Sequence, residues 1–390
     1  MAETDRLPML DDAPDHESGR DGTGFTTGIL PCQGLAAAIR AGEIVAEEPI
    51  GSELIQPASL DLRLGRIAYR VRASFLPGAG SRVRDKLDAF TMHSFDLAGG
   101  AVLEKGCVYI VPLLESLKLR ARTGAMANPK SSTGRLDIFT RVITDGAIEF
   151  DRVEPGYKGP LFAEISPRTF SVMVRTGSRL AQLRLRRGSP RASDSSMRRL
   201  HERSPLIAQG KERPGEADIE SGVALSVDLV GDATKGIIGY RAKHHTGVID
   251  VDKVAHYDID DFWHRIPIPR DQRLILDPDD FYILASREAV AVPPDHAAEM
   301  RAYDTLVGEF RVHYAGFFDP GFGHDAAGGT GSRAVLEVRS HDVPFVLEHG
   351  QTVGRLIYER LTAVPDRLYG QGIGSNYQAQ GLKLSKHFRQ

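Results

Sequence analysis

The chain has 390 residues, of which 41% are hydrophobic and 26% charged, and its formal net charge is −3. This length allows two or three domains with sizeable cores, and the near-neutral charge argues against a broad nucleic-acid-binding surface. No apolar run approaches the roughly 20 residues of a membrane span, and the acidic N-terminus does not resemble a signal peptide, so we expect no membrane association. The two cysteines, Cys32 and Cys107, predict a reducing, cytoplasmic location, and a single bridge between them stays open.

Along the chain, residues 1–28 are rich in Asp, Glu, Gly and Pro and predict a disordered tail. The stretch "CQGLAAAIRAGEIV" places Leu35, Ile39 and Ile44 at roughly helical spacing and predicts a short helix. From "SLDLRLGRIAYRVRASF" onward, apolar and polar residues alternate between Gly, Pro and Asp, which predicts one short strand after another. The exception is residues 187–218, a polar segment rich in Ser, Arg and Pro that predicts a linker.

Four sequence blocks recur in the same order on the two sides of this segment. "ASLDLRL" is similar to "ALSVDLV", and "EPGYKG" is similar to "DPGFGH". A third pair of blocks aligns Tyr109 with Tyr282, and a fourth aligns Glu164 with Glu337. Because internal similarity in a fixed order indicates duplication, we predict two copies of a mainly all-β unit with a few short helices.

The duplication defines the domain boundaries that we expect. Repeat one spans residues 29–186 and repeat two spans residues 219–365, with residues 187–218 as the linker between them. Residues 366–390 form a separate C-terminal tail.

The segment "NPKSSTGRLDIF" collects hydrogen-bond donors ahead of a strand-like run. Lys130, Ser131, Ser132 and Arg135 offer two cations and two hydroxyls, beside a glycine that frees the backbone. Donors crowded in this way suit an anion with several oxygens, such as phosphate. A solvated turn, whose hydroxyls bond only neighbouring backbone groups, explains the same residues equally simply.

Taken together, the "SLDLRLG" strand, the "KSSTGRL" element, the "[DE]PG[FY]xG" turns and the tail "YGQGIGSNYQAQGLKLS" resemble the dCTP deaminases, which are related to the dUTPases. The two-repeat layout is similar to a long bacterial form of that family. The resemblance implies a dUTPase-like distorted β-barrel or jelly-roll fold in each repeat. It also implies hydrolytic deamination of dCTP to dUTP without zinc.

The resemblance further implies a composite nucleotide site, because each repeat matches only part of the family's pattern. In the family, the serine-rich element binds the triphosphate; here Lys130 stands where the first arginine is usual. Repeat two reads "YDTLVGEF" at the same place and lacks the element, but its "RVHYAGFFDPGFG" matches the base pocket better than repeat one does. The implied substrate-binding residues are Lys130, Ser131, Ser132 and Arg135 from repeat one, His313 and Asp319 from repeat two, and Tyr369, Tyr377 and Gln380 from the tail.

Glu337 is the carboxylate that we expect to carry the chemistry, as a proton shuttle between water, the ring and the leaving amine. Arg135 and Ser131 would orient the water or the base. Glu164 is the reserve candidate, because it occupies the equivalent place in repeat one. An outward-facing glutamate on an alternating strand is the alternative for Glu337.

The expected cofactor is Mg²⁺ bound to the triphosphate, and no zinc is expected. The expected ligands are dCTP and dUTP, with dTTP as a candidate inhibitor, and the chain would act as a monomer or a dimer. Two other functions stay open at this point. One is a dUTPase or a bifunctional deaminase and dUTPase, and the other is a catalytically decayed nucleotide-binding module.

Overall fold

A computed structural model describes residues 26–209, 213–214, 216–231, 234–302, 310–312, 316–340, 343–370 and 381–389. The described chain is built mainly from short strands, which confirms the expected all-β fold class. Most of the N-terminal stretch expected to be disordered lies outside the described residues. No helix in these ranges is both long and apolar enough to cross a membrane.

Thirteen strands belong to repeat one in the described chain. They are β1 (Gly28–Ile29), β2 (Ile44–Ala46), β3 (Leu60–Leu62), β4 (Ile67–Val71), β5 (Thr91–Asp96), β6 (Ala101–Leu103), β7 (Val108–Lys118), β8 (Thr123–Pro129), β9 (Ile138–Thr144), β10 (Arg152–Val153), β11 (Lys158–Pro167), β12 (Val172–Val174) and β13 (Ala181–Arg187). Its helices are α1 (Cys32–Arg40), α2 (Val83–Phe90) and α3 (Ser131–Gly134), with one 3₁₀ turn at Ser52–Leu54.

The second half contributes fourteen described strands and two further helices. The strands are β14 (Ile207–Gln209), β15 (Arg213–Pro214), β16 (Val223–Ser226), β17 (Ile237–Ala242), β18 (Ile249–Asp250), β19 (Trp263–Pro267), β20 (Arg273–Leu276), β21 (Phe281–Val290), β22 (His296–Ala302), β23 (Phe310–Val312), β24 (Phe317–Phe318), β25 (Ser332–Ser340), β26 (Phe345–Glu348) and β27 (Thr352–Arg360). The helices are α4 (Asp194–Arg203) and α5 (Ile259–Phe262), with one 3₁₀ turn at Asp325–Ala327.

Strand pairing in the two halves follows the same plan. In repeat one, β11 lies between β7 and β9, and β13 lies between β3 and β8. In repeat two, β25 lies between β21 and β23, and β27 lies between β16 and β22. The antiparallel pair of β6 with β12 likewise recurs as β20 with β26. The two halves are therefore copies of one antiparallel topology.

The aligned tyrosines and glutamates occupy equivalent positions in this topology. The Tyr109 hydroxyl accepts a hydrogen bond from the Glu104 N–H at 3.0 Å, and the Tyr282 hydroxyl accepts one from the Asp277 N–H at 2.9 Å. The aligned glutamates lie on β11 and β25, each directly opposite the residue that follows its tyrosine. Identical local contacts at matched positions explain why these blocks are similar in sequence.

Residues 187–218, expected to be a linker, hold helix α4 and strand β14 in the structure. Ser193 caps the helix, because its side chain accepts the Ser196 N–H. Met197 and Leu200 are buried in the core of repeat two, while the intervening arginines face outward. In this position α4 and β14 correspond to α1 and β2 of repeat one.

The largest hydrophobic core contains residues of both repeats. Repeat two has its own cluster around Leu284, Leu336 and Tyr358, but several of its aromatic residues pack into the core of repeat one. In addition, β18 of repeat two pairs in parallel with β12 of repeat one. The repeats are therefore fixed against each other, and a site formed between them has a defined geometry.

Candidate functional site

The donor-rich element, residues 130–135, forms a tight turn and a four-residue helix at the end of β8. The Lys130 N–H donates to the Leu180 carbonyl on the neighbouring segment, and the N–H groups of Thr133 and Gly134 donate to the Lys130 carbonyl. Ser132 and Arg135 are buried. The donors of this segment are therefore held in place by backbone hydrogen bonds.

The structure brings Arg135 of repeat one next to Glu337 of repeat two. The Arg135 Nε atom lies 4.0 Å from Glu337 Oε1, and both side chains are less than a tenth exposed. On β25, Leu336 and Val338 enter the core of repeat two, while Val335 packs against repeat one. Because side chains alternate along a strand, Glu337 faces repeat one with Val335 and does not face solvent.

Burial changes the proton affinity of Glu337. Loss of solvation raises the pKa of its carboxyl to about 7, and the Asp137 carboxylate adds to this effect. The Arg135 guanidinium opposes the shift but does not cancel it. A carboxyl with this pKa exchanges protons readily near neutral pH, as a general acid and base must.

The end of the C-terminal tail lies against the same element of repeat one. Arg135 Nη1 donates to the Lys383 carbonyl at 3.0 Å, and the Ser385 hydroxyl donates to the Ser132 carbonyl at 2.8 Å. Phe388 is buried beside Trp263 of repeat two. Residues 381–389 therefore join both repeats at the Arg135 end of the site.

Lys130 contacts a buried carboxylate that the sequence did not single out. Its ammonium pairs with Asp61, which lies on β3, and Arg179 lies 3.6 Å from the other oxygen of Asp61. Arg184 of repeat one pairs in turn with Asp319 of repeat two at 3.2 Å. The charges of Lys130 and Asp61 both act on Asp319, so the two ion pairs lie close together across the repeat boundary.

Burial raises the pKa of the Asp319 carboxyl above its usual range, against the opposing charge of Arg184. Arg184 also donates to the Phe318 carbonyl, and its guanidinium stacks 4.0 Å above the Phe317 ring. The Tyr369 N–H donates to the Pro320 carbonyl. These contacts place Tyr369 on the Asp-Pro-Gly turn of repeat two.

Three further cations surround the donor-rich element. Burial and the charges of Lys130 and Arg179 lower the pKa of the Lys386 ammonium. Burial and the charge of Arg135 lower the pKa of the Lys383 ammonium. Positive groups that are close enough to depress one another's proton affinity form a suitable place for a polyanion. Sequence reasoning missed these residues. Arg179 and Lys386 lie outside the recognised motifs, and Lys383 lies within the quoted tail but was not singled out there.

Glu164, the reserve candidate, has a different environment. Its Oε1 atom accepts hydrogen bonds from Arg141 on the adjacent strand β9, one of them at 3.1 Å from Nε. The Arg141 guanidinium is in turn stacked 3.5 Å above the Phe150 ring and donates to Ser74. Glu164 is therefore engaged within repeat one and does not face the donor-rich element of the described chain.

Three predicted residues, His313, Tyr377 and Gln380, lie outside the described residues. Within the described ranges, no group of three or more His, Cys, Asp or Glu side chains is arranged to hold a metal ion. Asp61 and Asp319, two carboxylates near the donor-rich element, both contact cations. The described residues therefore do not form a protein cage for magnesium.

Comparison with known sequences and structures identifies the family of the chain. Two sequence models match, described as the N-terminal and C-terminal domains of 2′-deoxycytidine 5′-triphosphate deaminase, over residues 26–189 and 193–388. A crystal structure of 2′-deoxycytidine 5′-triphosphate deaminase from Agrobacterium tumefaciens is 60% identical with a TM-score of 0.82. That match covers 86% of this chain and 99% of the other.

Curated relatives are more distant and match a smaller part of the chain. A protein from Beutenbergia cavernae is 30% identical over 118 residues, and one from Halobacterium salinarum is 32% identical over 127 residues. Both are named "dCTP deaminase, dUMP-forming". The matches cover 30% and 32% of this chain, and the chain spans 58% and 60% of the length of these relatives.

Proposed function

Because the chain belongs to the 2′-deoxycytidine 5′-triphosphate deaminase family, we propose that it hydrolyses dCTP to dUTP and ammonia at the boundary between its repeats. The observation that carries this proposal is the buried approach of Arg135 to Glu337 at 4.0 Å. The raised pKa of the Glu337 carboxyl, about 7, supports the same assignment.

In the proposed mechanism, Glu337 takes a proton from a water molecule as the water oxygen bonds to C4 of cytosine. The carboxyl then gives this proton to N3, which produces a neutral tetrahedral intermediate. Glu337 next moves the hydroxyl proton to the amine, the C4–N bond breaks, and ammonia leaves as the carbonyl forms. A positioned acid–base group contributes roughly 10²–10⁴ in rate.

Arg135 and Ser131 are proposed to orient the water and the base. The guanidinium of Arg135 lies beside the carboxylate, so it favours the ionised form that accepts the first proton. Donors aimed at the developing charge of an intermediate give further stabilisation in a site that excludes water.

The triphosphate is proposed to bind where Lys130, Ser132, Arg179 and Lys386 gather, with Asp319 beside the sugar. Ion pairing to Asp61 holds the Lys130 ammonium in position. Lysine is a point charge without the fork of arginine, so it accepts several phosphate geometries. Magnesium would arrive as part of the dCTP complex and be held by phosphate oxygens. The tail residues Tyr377 and Gln380, with Tyr369, are proposed to complete this side of the site.

A second candidate activity is the further conversion of dUTP to dUMP. The two curated relatives above carry that activity in their names. In this chain the same bound triphosphate would have to be attacked by water at the α-phosphorus.

Inhibition by dTTP and a monomeric or dimeric state stay predictions. A cytoplasmic location is proposed from the two free cysteines, Cys32 and Cys107.

One incubation separates these functions. The purified chain is mixed with dCTP and Mg²⁺, and the nucleotides are resolved by ion-exchange chromatography while ammonia is measured. A dUTP peak with equal ammonia supports the proposed deaminase, and a dUMP peak with pyrophosphate adds the second activity. Intact dCTP, with dUTP cleaved in a parallel incubation, would identify a dUTPase and remove the role given to Glu337. If neither nucleotide changes but both bind, the chain is a nucleotide-binding module.

A further inference from the structure

A second buried ion pair, between Asp137 and Arg339, joins the repeats next to Arg135 and Glu337. Asp137 follows Arg135 by two residues, and Arg339 follows Glu337 by two residues on the same face of β25. Arg339 Nε donates to Asp137 Oδ2 at 3.0 Å, and its Nη2 atom contacts the same oxygen. Both side chains are less than a tenth exposed. Four alternating charges therefore face each other across the repeat boundary.

Arg339 and Asp137 also form hydrogen bonds with neighbouring residues. Arg339 Nη2 donates to the Thr169 hydroxyl at 2.7 Å, and Arg339 Nη1 donates to the Asp279 carbonyl at 2.6 Å. The Thr169 hydroxyl donates to Asp137 at 2.5 Å. Thr169 belongs to repeat one and Asp279 to the other half, so the guanidinium of Arg339 is fixed from both sides.

The backbone of Asp137 is also unusual. Its φ is 55°, in the left-handed region that residues other than glycine rarely adopt. Its N–H donates to the Gly134 carbonyl, and its carbonyl accepts from Arg168. This turn presents the carboxylate of Asp137 to repeat two directly after Arg135. An aspartate tolerates this conformation better than most residues do.

We propose that Asp137 and Arg339 are positioning residues, whose ion pair sets the register in which Arg135 meets Glu337. This inference rests on the proposed deaminase function. A slip of one residue along β25 would point Val338 at Arg135 and would also separate Asp137 from Arg339. Buried ion pairs add little net stability, but they specify register because losing one partner is strongly unfavourable.

The same charges select the correct partner for repeat one. On β11 of repeat one, the positions equivalent to Glu337 and Arg339 are Glu164 and Ser166. Docking of the donor-rich element on that strand would therefore leave Asp137 buried without a cation. Only the β25 strand, among the two copies, offers an anion for Arg135 and a cation for Asp137 together.

The test compares stability with catalysis in variants of this pair. Arg339→Gln and Asp137→Asn each leave one buried charge without its partner and should lower the melting temperature. The double variant removes both charges and should regain most of that loss, because replacing a whole buried pair is often neutral. If the pair positions the site, kcat for dCTP in the double variant stays about tenfold or more below that of the unaltered chain, with a small change in KM.

A control is another ion pair between the repeats, away from Arg135 and Glu337: Arg175 with Asp250, whose two hydrogen bonds are both 2.7 Å. The double variant Arg175→Gln with Asp250→Asn should keep the kcat of the unaltered chain. A regained melting temperature together with full kcat in the Asp137→Asn and Arg339→Gln double variant would overturn the proposal. If that double variant does not fold, Arg339→Lys decides the question, because lysine keeps the charge but loses the two guanidinium contacts with Asp137. A reduced kcat in Arg339→Lys supports the positioning role, and a full kcat overturns the proposal.

The pH profile gives an independent readout. The charged groups that face Glu337 are Arg135 and Asp137 from repeat one and Arg339 on its own strand, with Lys383 of the tail beside Arg135. Asp137→Asn removes a negative charge, so the acidic limb of kcat/KM should move to lower pH, and an unmoved limb would count against the proposal. If the unaltered chain does not deaminate dCTP at all, the proposed function fails instead. In that case the melting temperatures of the Asp137 and Arg339 variants still test whether the ion pair holds the two repeats together.

Discussion

Glu164 and Glu337 occupy the same position in two copies of one topology, yet their surroundings differ. Glu164 is bound by Arg141, which comes from the adjacent strand of its own repeat. Glu337 lies beside Arg135, which comes from the other repeat, and its carboxyl has a pKa of about 7. Strand position alone therefore does not give a carboxylate its role. Under the proposed mechanism, the partner that packs against the strand decides whether the glutamate is a structural anion or a proton shuttle.

Exchanging each carboxylate for its amide should separate the two roles most strongly. Glu337→Gln should lower the turnover of dCTP by about 10²–10⁴, because the amide cannot carry a proton. Glu164→Gln, the matched control, should keep turnover close to that of the unaltered chain. Ammonia release measures turnover, and calorimetry with dCTP shows whether binding is kept. Full activity in Glu337→Gln with loss in Glu164→Gln would reverse the assignment.

Removing the arginine beside each carboxylate is expected to have the next largest effect. Arg135→Ala should lower kcat/KM by about 10²–10³, because the site loses a donor and the group that favours ionised Glu337. Arg141→Ala should mainly lower the melting temperature, since Glu164 is then buried without its cation. Steady-state kinetics and thermal unfolding of both variants test this difference. Equal kinetic losses in the two variants would show that Arg135 has no special role.

The pH dependence of kcat/KM should give a smaller effect, which tests Glu337 as the base. In the proposed mechanism the first step needs ionised Glu337, and its pKa of about 7 means that the ionised fraction rises as pH increases through 7. We therefore expect kcat/KM to fall about tenfold for each pH unit below that value and to level off above it. A profile of kcat/KM between pH 5 and 9 measures this. Activity that is flat down to pH 5 would exclude Glu337 as the base.

Replacing Lys130 should have the smallest effect, which is expected on the KM for dCTP. Lys130→Ala removes one cation from the phosphate side and leaves Asp61 facing the substrate, so KM should rise about tenfold while kcat changes less. Lys130→Arg should keep the KM of the unaltered chain, because a guanidinium also pairs with Asp61 and with phosphate. An unchanged KM in Lys130→Ala would remove Lys130 from the site.

Local sequence similarity was enough to predict the duplication and the fold class. The paired tyrosines could be aligned because each keeps the same short-range backbone contact in its own repeat. The paired glutamates could be aligned because each has the same strand position. The approach of Arg135 to Glu337 followed from the family resemblance, since nothing in the spacing of two residues so far apart determines their distance. The assigned roles of both residues stay proposals.

Other features depend on contacts that a single sequence does not reveal. Helix α4 was missed because only Met197 and Leu200 mark its apolar face among many charged residues. The pairing of Lys130 with Asp61 joins the turn after β8 to strand β3, and that of Asp137 with Arg339 joins the two repeats. Ion pairs between distant segments carry no periodic signal, so the structure was needed to find them.

The covering of β11 by repeat one's own residues limits how many nucleotides the chain can hold. Phe75, Val83 and Leu87 pack with Ile110 and Phe162 over the face that, in repeat two, receives the donor-rich element. A second element could reach that face only by displacing α2 and its flanking residues. Under the proposed function the chain is therefore used asymmetrically: repeat one contributes its loop and repeat two its strand, while the face needed for the reverse pairing is covered. We expect a stoichiometry of one nucleotide per chain, although the polypeptide contains two copies of the fold.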